Sequence, residues 1–166
     1  YDTTTGEAIP LAQRIGLLDR KLRVVSENTT ESGKWLEWAQ VAYKSTYGYE
    51  WQGDNLLIAR EAMLISFIEY FEAKFGKQPL LKSLNYIAYI ISWNVWQMDG
   101  LKGVVPDSCG DKVEIEQTLF DGPIERVTPC EGCAKDDTRR HNGTYCLIRD
   151  WGTRDHKKIR FIDLIK

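Results

Sequence analysis

Ser45-Thr46-Tyr47-Gly48-Tyr49-Glu50 is a short β-branched and aromatic run, and Trp93-Asn94-Val95-Trp96-Gln97-Met98-Asp99 is a second one. Each is short enough for a buried strand. Between them, the loop Trp51-Gln52-Gly53 leads to Asp54, a good N-cap for a long helix carrying Leu57, Ile58, Met63, Leu64, Phe67, Ile68 and Phe71. Gly76 and Pro79 end that helix, and another is predicted from about Leu80 through Leu84, Ile87, Ala88 and Ile91. Strand, helices and strand make a crossover unit, whose natural outcome is a parallel pair with a right-handed connection.

Upstream, Leu11, Ile15, Leu18, Leu22 and Val25 recur at helical steps and predict one helix from Pro10 to Val25. Asn28-Thr29-Thr30 breaks it, and Trp35, Leu36, Trp38, Ala39, Val41 and Ala42 predict a second helix. Downstream of Pro106 the helical period disappears. Short β-like runs, Val113–Leu119, Ile124–Thr128, Thr144–Ile148 and Ile159–Ile165, alternate there with Gly-, Asp- and Cys-rich turns, and all four cysteines lie in this part. The expected organisation is an α/β domain over residues 1–105 and a β-rich, cysteine-bearing insert over 106–166.

The chain has 166 residues, 43% of them hydrophobic and 11% aromatic, so it can bury a core and disorder is not expected. No stretch approaches a membrane span, and Tyr1-Asp2-Thr3-Thr4-Thr5-Gly6 has no signal-peptide character, which together predict a soluble cytoplasmic protein. The net charge of −2 hides an asymmetry: residues 1–133 carry 13 basic and 19 acidic side chains, residues 134–166 carry 9 and 5. The tail is the more polyanion-facing surface, the plain alternative being a solvated surface of mixed charge.

In an open α/β sheet, ligands bind beyond the carboxyl ends of the strands, where an acid can accept hydrogen bonds from a ribose. Glu50 ends the first predicted strand and Asp99 the second. Side by side, Glu50 would grip ribose hydroxyls and Asp99 an adenine amino group; the plain alternative makes both ordinary loop acids, Asp99 shaping the turn Asp99-Gly100.

Ser45–Glu50 with Asp54-Asn55 and Ala59-Arg60-Glu61 resembles the second-strand motif of N6-adenine DNA methyltransferases of bacterial restriction–modification systems. Ile90–Leu101, including Trp96-Gln97-Met98-Asp99-Gly100, resembles their third-strand motif, and Ile15-Gly16-Leu17-Leu18-Asp19-Arg20-Lys21-Leu22 resembles the helix after their S-adenosylmethionine loop. The likeness covers residues 10–105 and implies a partial Rossmann-like class I methyltransferase domain. It also implies S-adenosylmethionine as cofactor, with Glu50, Trp51, Asp99 and Gly100 beside it, and DNA as partner. The family's Gly-rich loop and Asn-Pro-Pro-Tyr catalytic motif occur nowhere in the sequence. The resemblance therefore implies an internal piece without catalytic residues, completed by the remainder of the methyltransferase chain before Tyr1 and after Lys166.

Cys130-Glu131-Gly132-Cys133 has the spacing of a zinc knuckle, with Cys109 upstream and Cys146 downstream. These four thiolates are the predicted tetrahedral zinc site of a loose zinc ribbon, and His141 is a substitute ligand if Cys109 points away. A metal explains how a tail so poor in large apolar side chains holds together. Buried structural thiols, a Cys130–Cys133 redox dithiol and disulfides are the alternatives. His141 and His156 stand among basic residues and suit phosphate contact or solvation rather than acid–base work; Trp93 and Trp96 suit core packing. Asn28-Thr29-Thr30 and Asn142-Gly143-Thr144 are glycosylation triplets only in a secretory chain.

Overall fold

The computed structural model describes residues 4–118 and 122–165 and divides into two compact units. One comprises Tyr1–Gly48 and Asp54–Val95, the other Tyr49–Gly53 and Trp96–Lys166. Among the described residues, no helix is long and apolar enough to cross a membrane.

The first unit is helical: α1 (Leu17–Asn28), α2 (Ser32–Lys44), α3 (Gly53–Phe75) and α4 (Leu81–Asn94). The stripe of α1 buries Leu18, Leu22 and Val25, and α2 buries Trp35, Ala39, Ala42 and Tyr43. Trp35 is fully enclosed, its ring 5.5 Å from that of Phe67 and 5.4 Å, edge-on, from that of Phe71. Edge-to-face aromatic pairs add to the area they bury. Both polar atoms of this cluster are satisfied: Trp35 Nε1 donates to Ser26 Oγ at 3.0 Å, and Tyr43 Oη donates to the Met63 carbonyl at 2.7 Å.

The helix expected from Pro10 to Val25 is interrupted. A 3₁₀ turn over Leu11–Gln13 is followed by extended backbone at Arg14, and α1 starts only after Gly16. The physical reason is Arg14: its guanidinium reaches Glu69 at 2.6 Å and the Ile9 carbonyl at 2.7 Å, which turns the chain away from helical continuation. Ile15, on the predicted stripe, is consequently exposed.

The two predicted strands are real but shorter. They are β1 (Gly48–Glu50) and β2 (Val95–Gln97), which pair in parallel. Trp93 and Asn94 belong to α4 instead, because the buried Asn94 amide nitrogen lies 2.9, 3.2 and 3.1 Å from the carbonyls of Tyr43, Lys44 and Thr46. That fixes the end of α4 against the end of α2, and the chain becomes extended at Val95.

The second unit holds a small core of Trp96, Met98, Cys146 and Ile148, with Val105, Ile159 and Phe161 packed against it. Besides Tyr49–Gly53 it takes in the chain from Trp96 onward, upstream of the expected residue 106, because Trp96 and Met98 are themselves half of that core. Two antiparallel hairpins complete it. β3 (Lys112–Thr118) pairs with β4 (Gly122–Thr128) from Lys112↔Thr128 to Thr118↔Gly122, and β5 (Leu147–Arg149) pairs with β6 (Lys158–Arg160). Of the predicted runs, Thr144–Ile148 is displaced to β5, whereas Ile159–Ile165 contributes only the end of β6 before a 3₁₀ turn over Phe161–Leu164. Leu119 lies outside the described residues.

Candidate functional site

The Cys-x2-Cys segment is a helical knuckle. Cys130 is the N-cap of the short helix α5 (Glu131–Lys135), whose C-cap Asp136 is left-handed at φ 52°. Gly132 is a close-approach glycine here: a Cβ would lie 2.6 Å from the His141 backbone nitrogen and 2.7 Å from its Nδ1. The Gly132 N–H donates to the Arg140 carbonyl at 3.1 Å, so the missing side chain is what lets the His141 segment lie on the knuckle.

Four ligand atoms converge there. Cys109 Sγ lies 3.3 Å from Cys130 Sγ, 3.5 Å from Cys133 Sγ and 3.3 Å from His141 Nδ1, while that nitrogen is 3.7 Å from Cys130 Sγ and 3.6 Å from Cys133 Sγ. All four lie within 4.8 Å of one another. A tetrahedron with metal–sulfur arms of ~2.3 Å has edges of roughly 3.8 Å, so the cluster is the size of a metal-centred one. Three soft thiolates and an imidazole also form a donor set for zinc rather than for calcium or magnesium.

The surroundings hold these ligands in place. Asn142 binds Gly110 twice, its Oδ1 accepting from the Gly110 N–H at 3.3 Å and its Nδ2 donating to the Gly110 carbonyl at 2.7 Å, which fixes the residue after Cys109. Tyr145 Oη accepts from the His141 N–H at 2.8 Å and donates to the Thr138 carbonyl at 3.0 Å. The Cys133 backbone N–H above all, with that of Asn142, draws the Cys130 thiol down to about 6. Burial first, and then the neighbouring thiols, push Cys109 up to about 11. N–H groups aimed at one sulfur favour its thiolate form, and the thiolate is the form that ligates.

The predicted ligand set is therefore corrected at one position. Cys109, Cys130 and Cys133 come together, but Cys146 does not join them and His141 takes the fourth place. Cys146 is two residues from Ile148, on the same side of extended chain, so it faces the small core. Its Sγ donates to the Gln97 carbonyl at 3.3 Å, and burial pushes it up to about 11. It is one of the small buried thiols that the sequence offered as an alternative.

The two strand ends lie side by side in the backbone, while each carboxylate is turned onto its own loop. The Met98 N–H donates to the Glu50 carbonyl at 3.0 Å, which puts Asp99 one residue beyond the rung that Glu50 closes. Glu50 Oε1 accepts from the N–H groups of Trp51 and Gln52 at 2.9 and 3.1 Å. Trp51 is exposed, and its carbonyl accepts from Gln97 Nε2 at 2.8 Å. Asp99 is buried and turned onto its own loop, Oδ1 accepting from the N–H groups of Leu101 and Lys102 at 3.0 and 3.2 Å. Gly100 packs against Tyr49, whose ring carbon would stand 2.5 Å from an added Cβ. Asp99 thus shapes the turn, as its alternative reading held, and Glu50 is the more open of the two acids.

His156 lies apart from the metal cluster, in the β5–β6 turn, and Asn28 bonds its own helix through Val24. Sequence reasoning did not find α5, nor the supporting roles of Asn142 and Tyr145; the compact signal His141-Asn142-Gly143-Thr144-Tyr145-Cys146 contains three of the residues that build the site. Comparison of the chain with protein-family models, curated proteins and solved structures finds no match.

Proposed function

We propose that this chain is a piece of a cytoplasmic S-adenosylmethionine-dependent N6-adenine DNA methyltransferase of a restriction–modification system, in which the Cys109–His141 region is a structural zinc module. The observation that carries the reading is the parallel pairing of β1 with β2, each carrying an acid at its carboxyl end. That is the arrangement a Rossmann-like sheet uses to hold a nucleoside. On this reading Glu50 takes the ribose hydroxyls of the cofactor, Trp51 flanks its adenine, and Asp99 with Gly100 forms the floor through its turn. The parts that hold the methionine end and the extruded base belong to flanking sequence.

Zinc is the metal because its tetrahedral sites are built from thiolate and imidazole. Cys109, Cys130, Cys133 and His141 would hold it, and its chemistry there is structural, since all four donors come from protein.

The test is to express the reading frame that contains this chain and assay transfer of the labelled methyl group of S-adenosylmethionine to DNA, with N6-methyladenine read by mass spectrometry. Transfer by the longer frame and none by residues 1–166 alone is the expected result. Absence of N6-methyladenine from the longer frame would overturn the reading. In the active protein, Glu50→Ala should weaken cofactor binding by about 1–3 kcal/mol, the size of a lost charge-assisted hydrogen bond. The Cys3His cluster also favours a second reading, a non-enzymatic zinc-ribbon binding module; that module would load zinc and show no methyl transfer in any longer frame.

A further inference from the structure

The metal-bearing unit carries two hairpins of opposite charge. Residues 111–128, which contain β3 and β4, hold Asp111, Glu114, Glu116, Asp121 and Glu125 against Lys112 and Arg126. Residues 147–160, which contain β5 and β6, hold Arg149, Arg154, Lys157, Lys158 and Arg160 against Asp150 and Asp155.

The second hairpin sets the cations of its ladder on one side, one of them, Arg160, being paired with Asp163 at 2.9 Å. Ile148 pairs with Ile159 and both turn toward the small core, so the flanking pairs Leu147↔Arg160 and Arg149↔Lys158 share the opposite face. Arg149 directly opposite Lys158 is a like-charge cross-strand pair, an arrangement that costs stability in an isolated sheet.

The turn that continues this face is rigid. The Asp150 N–H donates to the Lys157 carbonyl at 2.9 Å, the Thr153 hydroxyl donates to the Asp150 carbonyl at 2.9 Å, and the Lys157 N–H donates to Thr153 Oγ1 at 3.1 Å. Asp150 Oδ1 is spent on the Gly152 N–H at 2.9 Å, so one of the two acids serves the backbone. His156 is held left-handed at φ 46°, its ring 5.2 Å from that of Trp151 and its carbonyl accepting from Arg149 at 3.2 Å. Arg154, Lys157 and Lys158 are exposed on this frame.

We propose that the β5–β6 hairpin is a contact surface for the phosphate backbone of duplex DNA, with Arg154, Lys157 and Lys158 as its outer cations and Arg149 holding the turn. The choice of DNA over other polyanions rests on the methyltransferase reading; the surface itself rests on the excess of basic residues over the hairpin and on the bonded turn that presents the exposed ones. The acidic β3–β4 hairpin complements it by repelling phosphate from its own part of the unit. Such contacts position a protein on the duplex and read no sequence.

The test is fluorescence anisotropy of a labelled duplex with the zinc-loaded 166-residue chain, over salt from about 50 to 200 mM. Arg154→Gln/Lys157→Gln/Lys158→Gln should bind at least tenfold more weakly at the low-salt end, with the slope of log affinity against log salt smaller by about 2.7, or ~0.9 for each phosphate released. Lys34→Gln/Lys77→Gln/Lys82→Gln removes the same charge from the helical unit and should leave both quantities within experimental scatter. Equal loss in the two triple variants, or no duplex binding by the parent chain, would overturn the surface; so would heparin binding that the hairpin triple loses while duplex binding stays. The two readings fail separately. Methyl transfer by the longer frame that the hairpin triple leaves at full rate and full DNA affinity removes the surface and keeps the enzyme, whereas hairpin-dependent duplex binding with no N6-methyladenine removes the enzyme and keeps the surface.

Discussion

The helical unit and the cysteine-bearing unit are held together by different physics. The first encloses Trp35, Tyr43, Phe67 and Phe71 among four helices and has its buried amide, Asn94, bonded to backbone carbonyls. The second has four buried residues in its core cluster, and its longest ladder, β3–β4, is solvent-exposed, with Val113, Ile115, Ile124 and Val127 each at least half accessible. A two-stranded hairpin is marginal in water. On the proposed zinc reading, what replaces the missing core is the Cys3His cluster, whose residues Cys109 and Cys130 flank that hairpin on either side. A unit stapled at one point differs from one packed throughout in how it fails.

The sharpest way to break the comparison is to take the metal away. Structural zinc in small modules contributes on the order of 10–16 kcal/mol of apparent binding free energy at neutral pH. Chelation of the native protein, or Cys130→Ser, should abolish amide-exchange protection over residues 122–160 and leave α1 to α4 protected. Retention of protection in the metal-free protein would mean that the small core suffices. Acid should act as a chelator does. Cys130 is a thiolate above about 6, and as the pH falls through that value it takes up a proton that competes with the cation, so affinity falls. Zinc affinity should therefore fall steadily as the solution is acidified from neutral pH, read with a chromophoric chelator; an affinity that does not change on acidification would contradict this.

The reciprocal experiment attacks the packed unit. Trp35→Ala removes a fully buried ring and should cost about 3–5 kcal/mol, seen as early melting of the helical signal, with zinc content unchanged at low temperature. If zinc is lost in parallel, the two units fold as one.

How much could be read beforehand follows the same division. In the helical unit, periodicity predicted elements close to those found, because apolar spacing is what builds them, whereas Asp54, read as an N-cap, lies inside the first turn of α3. The misses came where a tertiary contact overrode a local pattern: Arg14 reaching Glu69 broke the first helix, and Asn94 bonding the end of α2 shortened the second strand. In the metal unit the Cys-x2-Cys spacing located the knuckle, since two thiolates three residues apart can share one ion. Spacing put Cys146 in the set and offered His141 only in place of Cys109, whereas it is Cys146 that stays out. That depends on which face of the chain near β5 turns toward Trp96 and Met98, residues some fifty positions away in sequence.

The smallest effect expected is also the most specific to the geometry. Gly132→Ala adds one methyl group at the buried position of the short helix α5, where by propensity alone alanine is favoured over glycine by about 1 kcal/mol. The added carbon would meet the His141 backbone nitrogen at 2.6 Å and the Arg140 carbonyl carbon at 2.8 Å, both backbone atoms that cannot swing aside. Relief requires the His141 segment to lift, which lengthens the distance from Nδ1 to the three sulfurs while leaving the Cys-x2-Cys pair intact. Overpacking of this kind costs typically 1–3 kcal/mol, so zinc affinity should fall by roughly tenfold or more and the unit should soften without unfolding. His141→Ala in the same background should then cost less than it does in the parent chain, because the ligand it removes is already displaced. If Gly132→Ala instead binds zinc as tightly as the parent, His141 does not complete the site from this position, and the choice between it and Cys146 reopens.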